Sequence, residues 1–107
     1  MITQAAFERG AQELVGFTGD RAWNPRAGLC VRASGSSSPA LKALDARTLF
    51  VDLMGVIWND GATTITVKDN AGGTIGTILA GGVANVYCFD TSTAAGAWRL
   101  VTKAFLT

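Results

Sequence analysis

The sequence predicts an all-β protein, folded as a small antiparallel sandwich or barrel of about seven strands. Within residues 64–68, Ile65 and Val67 alternate with hydroxyl and ammonium side chains, and this period of two is typical of a strand with one buried face. Turn-forming Asn, Asp and Gly residues bracket the run at 59–61 and 69–73. We therefore expect this strand to have neighbours on both sides.

Residues 1–19 are predicted to form an N-terminal arm that leads into a strand near Val15. Their apolar residues fall at helical spacing, but Gly10 and Gly16 each weaken a helix by about 1 kcal/mol relative to alanine. Two interpretations stay open: an ordinary element packed on its own domain, or an arm that reaches a neighbouring subunit. The interface candidates within this segment are Phe7, Leu14 and Phe17.

Residues 20–40 contain Trp23, a short apolar strand at 28–32 and a surface loop rich in Ser and Gly. Two arginines lie close to Trp23 in the sequence, and both residue types are enriched at binding hot spots. The alternative is that the Trp23 ring covers a small core while the arginines stay solvated. Residues 40–47 predict a helical turn or the approach to an edge strand.

Residues 48–56 predict a strong strand with large apolar side chains on both faces. Phe50 and Met54 share one face with Asp52, opposite an aliphatic face. A face of this composition requires cover from another layer or from another chain. Phe50 and Met54 are therefore interface candidates.

The following segments predict a meander. Residues 74–79 and 83–89 form two strands joined by a glycine-rich reversal, so that the second strand returns beside the first. A polar loop at 90–96 then leads to a last strand at 97–105. Trp98 lies on the more apolar face of that strand.

The 107 residues are predicted to form one domain, with the arm at 1–19 and a β-rich body at 20–107. Hydrophobic residues make up 49% of the chain and charged residues 16%, well below the usual share of about a quarter. Mean hydropathy is +0.29, so we expect more apolar surface than a monomer of this size can hide. We expect the chain to bury this surface by self-association as a homo-oligomer.

The charge pattern argues against nucleic acid and membrane partners. The formal net charge is +1 and no run of Lys or Arg occurs. Residues 70–89 are uncharged and long enough to span a bilayer, but their five glycines and several polar side chains suit a hairpin better. The N-terminus lacks the pattern of a secretory signal, which predicts assembly in a cytoplasm.

Cys30 and Cys88 lie among aliphatic and aromatic neighbours, outside any metal-binding spacing. We expect two buried, reduced thiols that act as small hydrophobic side chains, with a disulfide as the alternative. Zinc is not expected, because two thiolates without histidine cannot complete a tetrahedral site within one chain.

No enzyme activity and no cofactor are predicted. The chain has no histidine, which rules out His-based triads and imidazole acid–base chemistry. The aspartates are spread over separate strands and turns, and Asp60, Asp69 and Asp90 each border a reversal, where an Asp side chain commonly bonds its own backbone. The glycines lack the Lys-Ser/Thr of a phosphate-binding loop.

The C-terminal half of the chain resembles small β-rich virion proteins of tailed bacteriophages. The resemblance rests on the strings at 58–75, 81–84 and 92–98, in which strands and glycine turns precede a small-residue loop that leads to Trp98. Related strings recur in tail-fibre, baseplate and head-decoration proteins. The short length and the arm-like N-terminal half are similar to capsid decoration (cement) proteins, which commonly sit as trimers on the shell.

The resemblance implies a homotrimer that binds the major capsid protein or another virion protein and stabilises the head of a phage particle assembled in the bacterial host cytoplasm. The alternative is a receptor- or carbohydrate-binding module of a tail fibre or baseplate. Sugar sites combine an exposed ring with amides and carboxylates, which the segment 58–60 matches loosely. Three tryptophans are stacking platforms in that alternative and interface candidates in the first hypothesis: Trp23, Trp58 and Trp98.

Overall fold

The computed structural model describes residues 11–23, 30–49 and 51–104, which form nine strands and confirm the all-β prediction. A 3₁₀ turn, Ala46–Thr48, follows the fourth strand. Among the described residues, no helix has the length and apolar character needed to cross a membrane. The strands are β1 (Ala11–Phe17), β2 (Asp20–Trp23), β3 (Cys30–Gly35), β4 (Ala40–Ala43), β5 (Asp52–Asn59), β6 (Ile65–Lys68), β7 (Thr74–Ile78), β8 (Gly82–Asp90) and β9 (Ala97–Ala104).

The strands form two sheets that face each other as an open sandwich. The five-stranded sheet has the order β1-β3-β5-β8-β9, and the four-stranded sheet has the order β2-β4-β6-β7. Of the two predicted architectures, the sandwich is therefore confirmed, and the closed barrel is not formed.

The prediction of antiparallel sheets is wrong, because both sheets are mixed. β1, β3 and β5 pair in parallel, and so do β2, β4 and β6. The pairs β5–β8, β6–β7 and β8–β9 are antiparallel. The cause is the path of the chain, which crosses to the facing sheet after each of its first five strands. Every second strand therefore re-enters the same sheet in the same direction.

The predicted hairpin of β7 and β8 is also wrong. β7 pairs with β6 in the four-stranded sheet, whereas β8 pairs with β5 and β9 in the five-stranded sheet. The glycine reversal between them is a corner, in which Gly81 has a φ of 79° and the Gly82 N–H donates to the Leu79 carbonyl oxygen at 2.8 Å. The turn was recognised correctly from the sequence, but it joins two layers.

The strand predicted at 48–56 is shifted toward the C-terminus, since β5 spans Asp52–Asn59. Trp58 therefore lies within a strand and not just beyond it. Phe50 falls outside the described residues, and so does the side chain of Met54. The interface predicted at these two positions stays a prediction.

The strand predicted near the end of the N-terminal arm is β1, an edge strand of the five-stranded sheet. Leu14 and Phe17 are buried in the core. For residues 11–17 the structure therefore supports an element packed on its own domain, which was one of the two interpretations. Residues 1–10, with the candidate Phe7, lie outside the described residues.

The core lies between the two sheets and is filled from alternate strand positions. In β6, Ile65 and Val67 are buried whereas Thr66 and Lys68 are not, which confirms the predicted period of two. Each fully buried aliphatic side chain of this size contributes about 1.5–3 kcal/mol of transfer free energy. The largest fully buried apolar side chains are Trp23, Leu41, Ile57, Ile65, Val67, Ile78 and Val86.

Cys88 is a free and buried thiol, as predicted. Cys30 in β3 is the register partner of Val56 in β5, whose own partner in β8 is Asn85. Two strand spacings of about 4.8 Å each thus separate the Cys30 backbone from β8, and Cys88 lies further along that strand. The two Cα atoms are too far apart for a disulfide, which requires less than about 7 Å.

Candidate interaction surface

The outer face of the four-stranded sheet is polar. Its outward positions carry mostly hydroxyl and ammonium groups, and Lys68 forms an ion pair with Asp20 at 3.0 Å across the strands. Such a face is stable in contact with water. The outward register positions are Asp20, Ala22, Ala40, Lys42, Thr66, Lys68, Thr74 and Thr77.

The outer face of the five-stranded sheet is richer in apolar and aromatic side chains. In β8, Ala84, Val86 and Cys88 are buried, so the residues between them point away from the core. The same alternation and register assign the outward residues of the neighbouring strands. The polar residues that this register turns outward include Arg32, Ser34, Asn85 and Arg99. We call the apolar and aromatic members of the set the outer aromatic face: Val15, Val56, Trp58, Val83, Tyr87, Phe89 and Val101.

Exposed apolar side chains are concentrated on this side of the protein. Among the described residues, six large apolar side chains are exposed, and none of them lies on the outer face of the four-stranded sheet. Val51 directly precedes β5, and Leu79 lies in the corner before β8. An apolar area gathered on one face is typical of a surface that another molecule covers. The other four belong to the outer aromatic face: Val15, Trp58 (37% exposed), Phe89 (57%) and Val101 (38%).

The Trp58 ring contacts Arg32, which forms an ion pair with Asp60. Arg32 is its register partner in β3, and the Arg32 Cζ lies 5.7 Å from the centroid of the Trp58 ring. The Arg32 Nε donates to the Asp60 Oδ2 at 2.7 Å, and Nη2 contacts the same oxygen at 2.5 Å. A cation–π contact at an exposed site contributes about 0.5–1 kcal/mol. We call these three residues the Trp58 cluster; its two opposite charges compensate each other.

Asn59 fixes the end of β5 on which the Trp58 cluster stands. Its side chain is fully buried, and Nδ2 donates to the carbonyl oxygens of Thr63 at 2.8 Å and Ile78 at 2.9 Å. Its Oδ1 accepts from the Gly61 N–H at 3.1 Å. Every polar atom of this amide is therefore engaged. From the sequence Asn59 was interpreted as a turn former and as part of the loose sugar-site match at 58–60. The signal for its burial is its position two residues after Ile57, on the same face of the strand.

A second aromatic group lies at the other end of β8. The rings of Tyr87 and Phe89 are stacked, with centroids 6.2 Å apart and planes 17° from parallel. Arg99 in β9 is the register partner of Tyr87 and is exposed. This side of the sheet thus carries rings at both ends, with Val56, Asn85 and Val101 in the register row between them.

Several of the predicted interface residues lie inside the sandwich. Leu14, Phe17 and Trp23 are buried, and Trp23 has no exposed surface. Trp98 is partly buried against the core, with its ring centroid 6.2 Å from that of Trp23, and its Nε1 donates to the Ala95 carbonyl oxygen at 2.7 Å. These four residues stabilise the domain. Trp58 is the described candidate that reaches the surface.

The sugar-site constellation predicted at 58–60 is not assembled. Trp58 and Asp60 do lie together at the surface, but the amide between them is buried and already bonded. Trp23 is fully buried and Trp98 is partly buried against the core. The structure therefore gives the carbohydrate hypothesis a single platform.

No group of three or more His, Cys, Asp or Glu side chains placed to hold a metal ion is found within residues 11–23, 30–49 and 51–104. The best defined feature of the described surface is instead the outer aromatic face.

Comparison of the chain with protein-family models, with curated proteins and with solved structures finds no match.

Proposed function

We propose that this protein is a structural subunit of a bacteriophage virion, a capsid decoration protein that acts as a homotrimer on the head. The observation that carries the proposal is the difference between its two outer faces. A polar face on one sheet and the outer aromatic face on the other are typical of a subunit with one side in water and one side against a protein.

The dimensions of the apolar face fit a protein–protein contact. Five strands at a spacing of about 4.8 Å, each about seven residues long, give a face of about 24 by 23 Å. This projected area, about 550 Å², approaches the roughly 800 Å² of accessible surface that each partner buries in a standard interface. A β-sheet face of this size is suited to packing against another sheet or against a shell.

The Trp58 cluster, at one end of the face, also fits this role. Trp and Arg are the residue types most enriched at interface hot spots. The Trp58 cluster presents both in one fixed arrangement, because Arg32 is held between the ring and Asp60. A preorganised cluster loses little side-chain entropy when a partner binds.

The proposal is tested by re-binding to phage heads that lack the protein. Wild-type protein is expected to bind such heads saturably, and Trp58→Glu to bind at least tenfold more weakly, because the new charge disrupts the outer aromatic face on which assembly depends. The matched control is Thr77→Glu, which places the same charge on the polar outer face and should bind like the wild type. Failure of the wild type to bind, or equal loss in both variants, would contradict the proposal.

A further inference from the structure

The edges of the two sheets are not equally protected against strand addition. β2 has four residues and β7 has five. β1 is interrupted by a register shift at Gly16, where φ is 68°. β9 has eight residues and pairs with β8 without a shift from Gly82 to Cys88. β9 is therefore the long and regular edge among the described strands, and such edges accept an added strand most readily.

The facing sheet covers β9 near Leu100 but not at Thr102. Near the middle of β9, the facing sheet is close: a Cβ placed on Gly76 of β7 would lie 3.2 Å from Leu100 Cδ2. Two residues later, Thr102 is exposed although its register partner Ala84 is fully buried. Thr102 therefore lies outside the cover that β7 gives to Leu100.

The two charged residues of this edge are both cations. The sequence has no Asp or Glu from Thr91 onward, and its only charged residues there are Arg99 and Lys103. Arg99 is exposed and forms no ion pair among the described residues. The acid preceding this segment, Asp90, accepts hydrogen bonds from Ser92, which hold the pKa of its carboxyl below the usual value.

The charges of this edge disfavour a second copy of the chain in the register centred on Val101. In an antiparallel pairing of two β9 strands about Val101, the position of Arg99 comes to lie opposite that of Lys103 of the other copy. Like charges directly opposite each other in a sheet are destabilising. A strand with carboxylates two residues before and two residues after an apolar side chain avoids this repulsion and places a negative charge opposite each cation.

We propose that β9 is the docking edge for an extended segment of another protein, which adds to the five-stranded sheet and carries acidic side chains on either side of an apolar one. Main-chain hydrogen bonds supply the pairing, and the charges select the partner and its register. The inference can be tested apart from the proposed function, because strand addition uses the main-chain groups of the β9 edge, although the two surfaces share Val101.

The test uses the purified full chain and a fluorescent heptapeptide of sequence Thr-Glu-Thr-Val-Thr-Glu-Thr, with binding followed by fluorescence anisotropy. A second peptide has Lys in place of both Glu residues. Two further peptides carry N-methyl groups on the odd or on the even backbone amides. The protein variants are Arg99→Glu and, as a matched control on the other sheet, Arg21→Glu.

We expect the acidic peptide to bind saturably and the lysine peptide to bind at least tenfold more weakly. One of the two N-methylated peptides should lose binding while the other keeps it, because only alternate amides of an added strand face its partner. Arg99→Glu should weaken the binding of the acidic peptide by about tenfold and strengthen the binding of the lysine peptide. Arg21→Glu should change the binding of neither peptide.

Three outcomes would overturn the inference. The first is no binding of the acidic peptide up to about 1 mM. The second is equal binding of both N-methylated peptides. This result would show that the peptides bind by charge attraction without adding a strand. The third is equal weakening by Arg99→Glu and Arg21→Glu.

Discussion

The Nδ2 of Asn59 donates a hydrogen bond to the carbonyl oxygen of Ile78 at 2.9 Å, and this bond joins the C-terminal end of β5 in one sheet to the end of β7 in the other. The same amide also bonds the loop that follows β5. The bond is buried, so water cannot replace it. The position of the Trp58 cluster therefore depends on an inter-sheet contact beneath it.

Replacing Asn59 by alanine is expected to lower the free energy of unfolding by about 2–4 kcal/mol, because buried carbonyl oxygens lose their donor and a cavity is left. Urea unfolding followed by Trp fluorescence measures the change. The control is Asn70→Ala, which removes one longer bond, 3.3 Å to the Ala43 carbonyl oxygen, from a half-buried site and should cost less than about 1.5 kcal/mol. Equal losses in the two variants would show that Asn59 has no special role.

Gly96 and Gly81 provide a matched pair for backbone strain. Both have positive φ values, 72° and 79°, so alanine at either position costs about 1–2 kcal/mol. A Cβ on Gly96 would also lie 2.6 Å from the Ala46 Cβ. Around a Cβ on Gly81, apart from the two neighbouring residues in the chain, there is no atom of the described residues within 4 Å. We therefore expect Gly96→Ala to lower the melting temperature clearly more than Gly81→Ala. The reverse order in differential scanning calorimetry would contradict this packing.

Burial raises the pKa of the Cys88 thiol above its ordinary value of 9.0, mainly through desolvation. The folded state thus favours the neutral thiol. The stability that Cys88 contributes is fully present below the ordinary pKa and is lost as the pH rises through the raised one. We expect Cys88→Ala to cost about 1–2 kcal/mol at pH 7, and this difference from the wild type to shrink at alkaline pH. Chemical unfolding at pH 7 and pH 10 tests it; a difference that grows with pH would be the contrary result.

The sequence predicted the strands better than it predicted their partners. The period of two at Ile65 and Val67 indicates a buried face, and β6 has that face. Period and turn residues do not show which sheet receives the next strand, because a corner and a hairpin both use glycine. The reversal at Gly81 is of this kind. The parallel pairing of the early strands follows from such layer crossings and was missed for the same reason.

The candidate surface was predicted in part. Low charge and high hydropathy indicated exposed apolar area, and Trp58 was among the candidates. The sequence did not separate Trp58 from Trp23, because burial of a ring depends on the facing sheet: Trp23 packs beside Trp98, whereas Trp58 points away from the core. The contribution of β8, with Tyr87 and Phe89 stacked on the outside, was not predicted, since that strand was expected to pair with β7.

Light scattering of the purified protein tests the central claim, that the outer aromatic face mediates assembly. We expect a mass three times that of the 11.1 kDa chain at micromolar concentration. Trp58→Glu should reduce it to the mass of one chain, because a charge buried in an apolar contact is strongly unfavourable, while Thr77→Glu should keep the trimer. Circular dichroism must show that both variants are folded. A wild-type monomer, or a trimer that survives Trp58→Glu unchanged, would contradict the account.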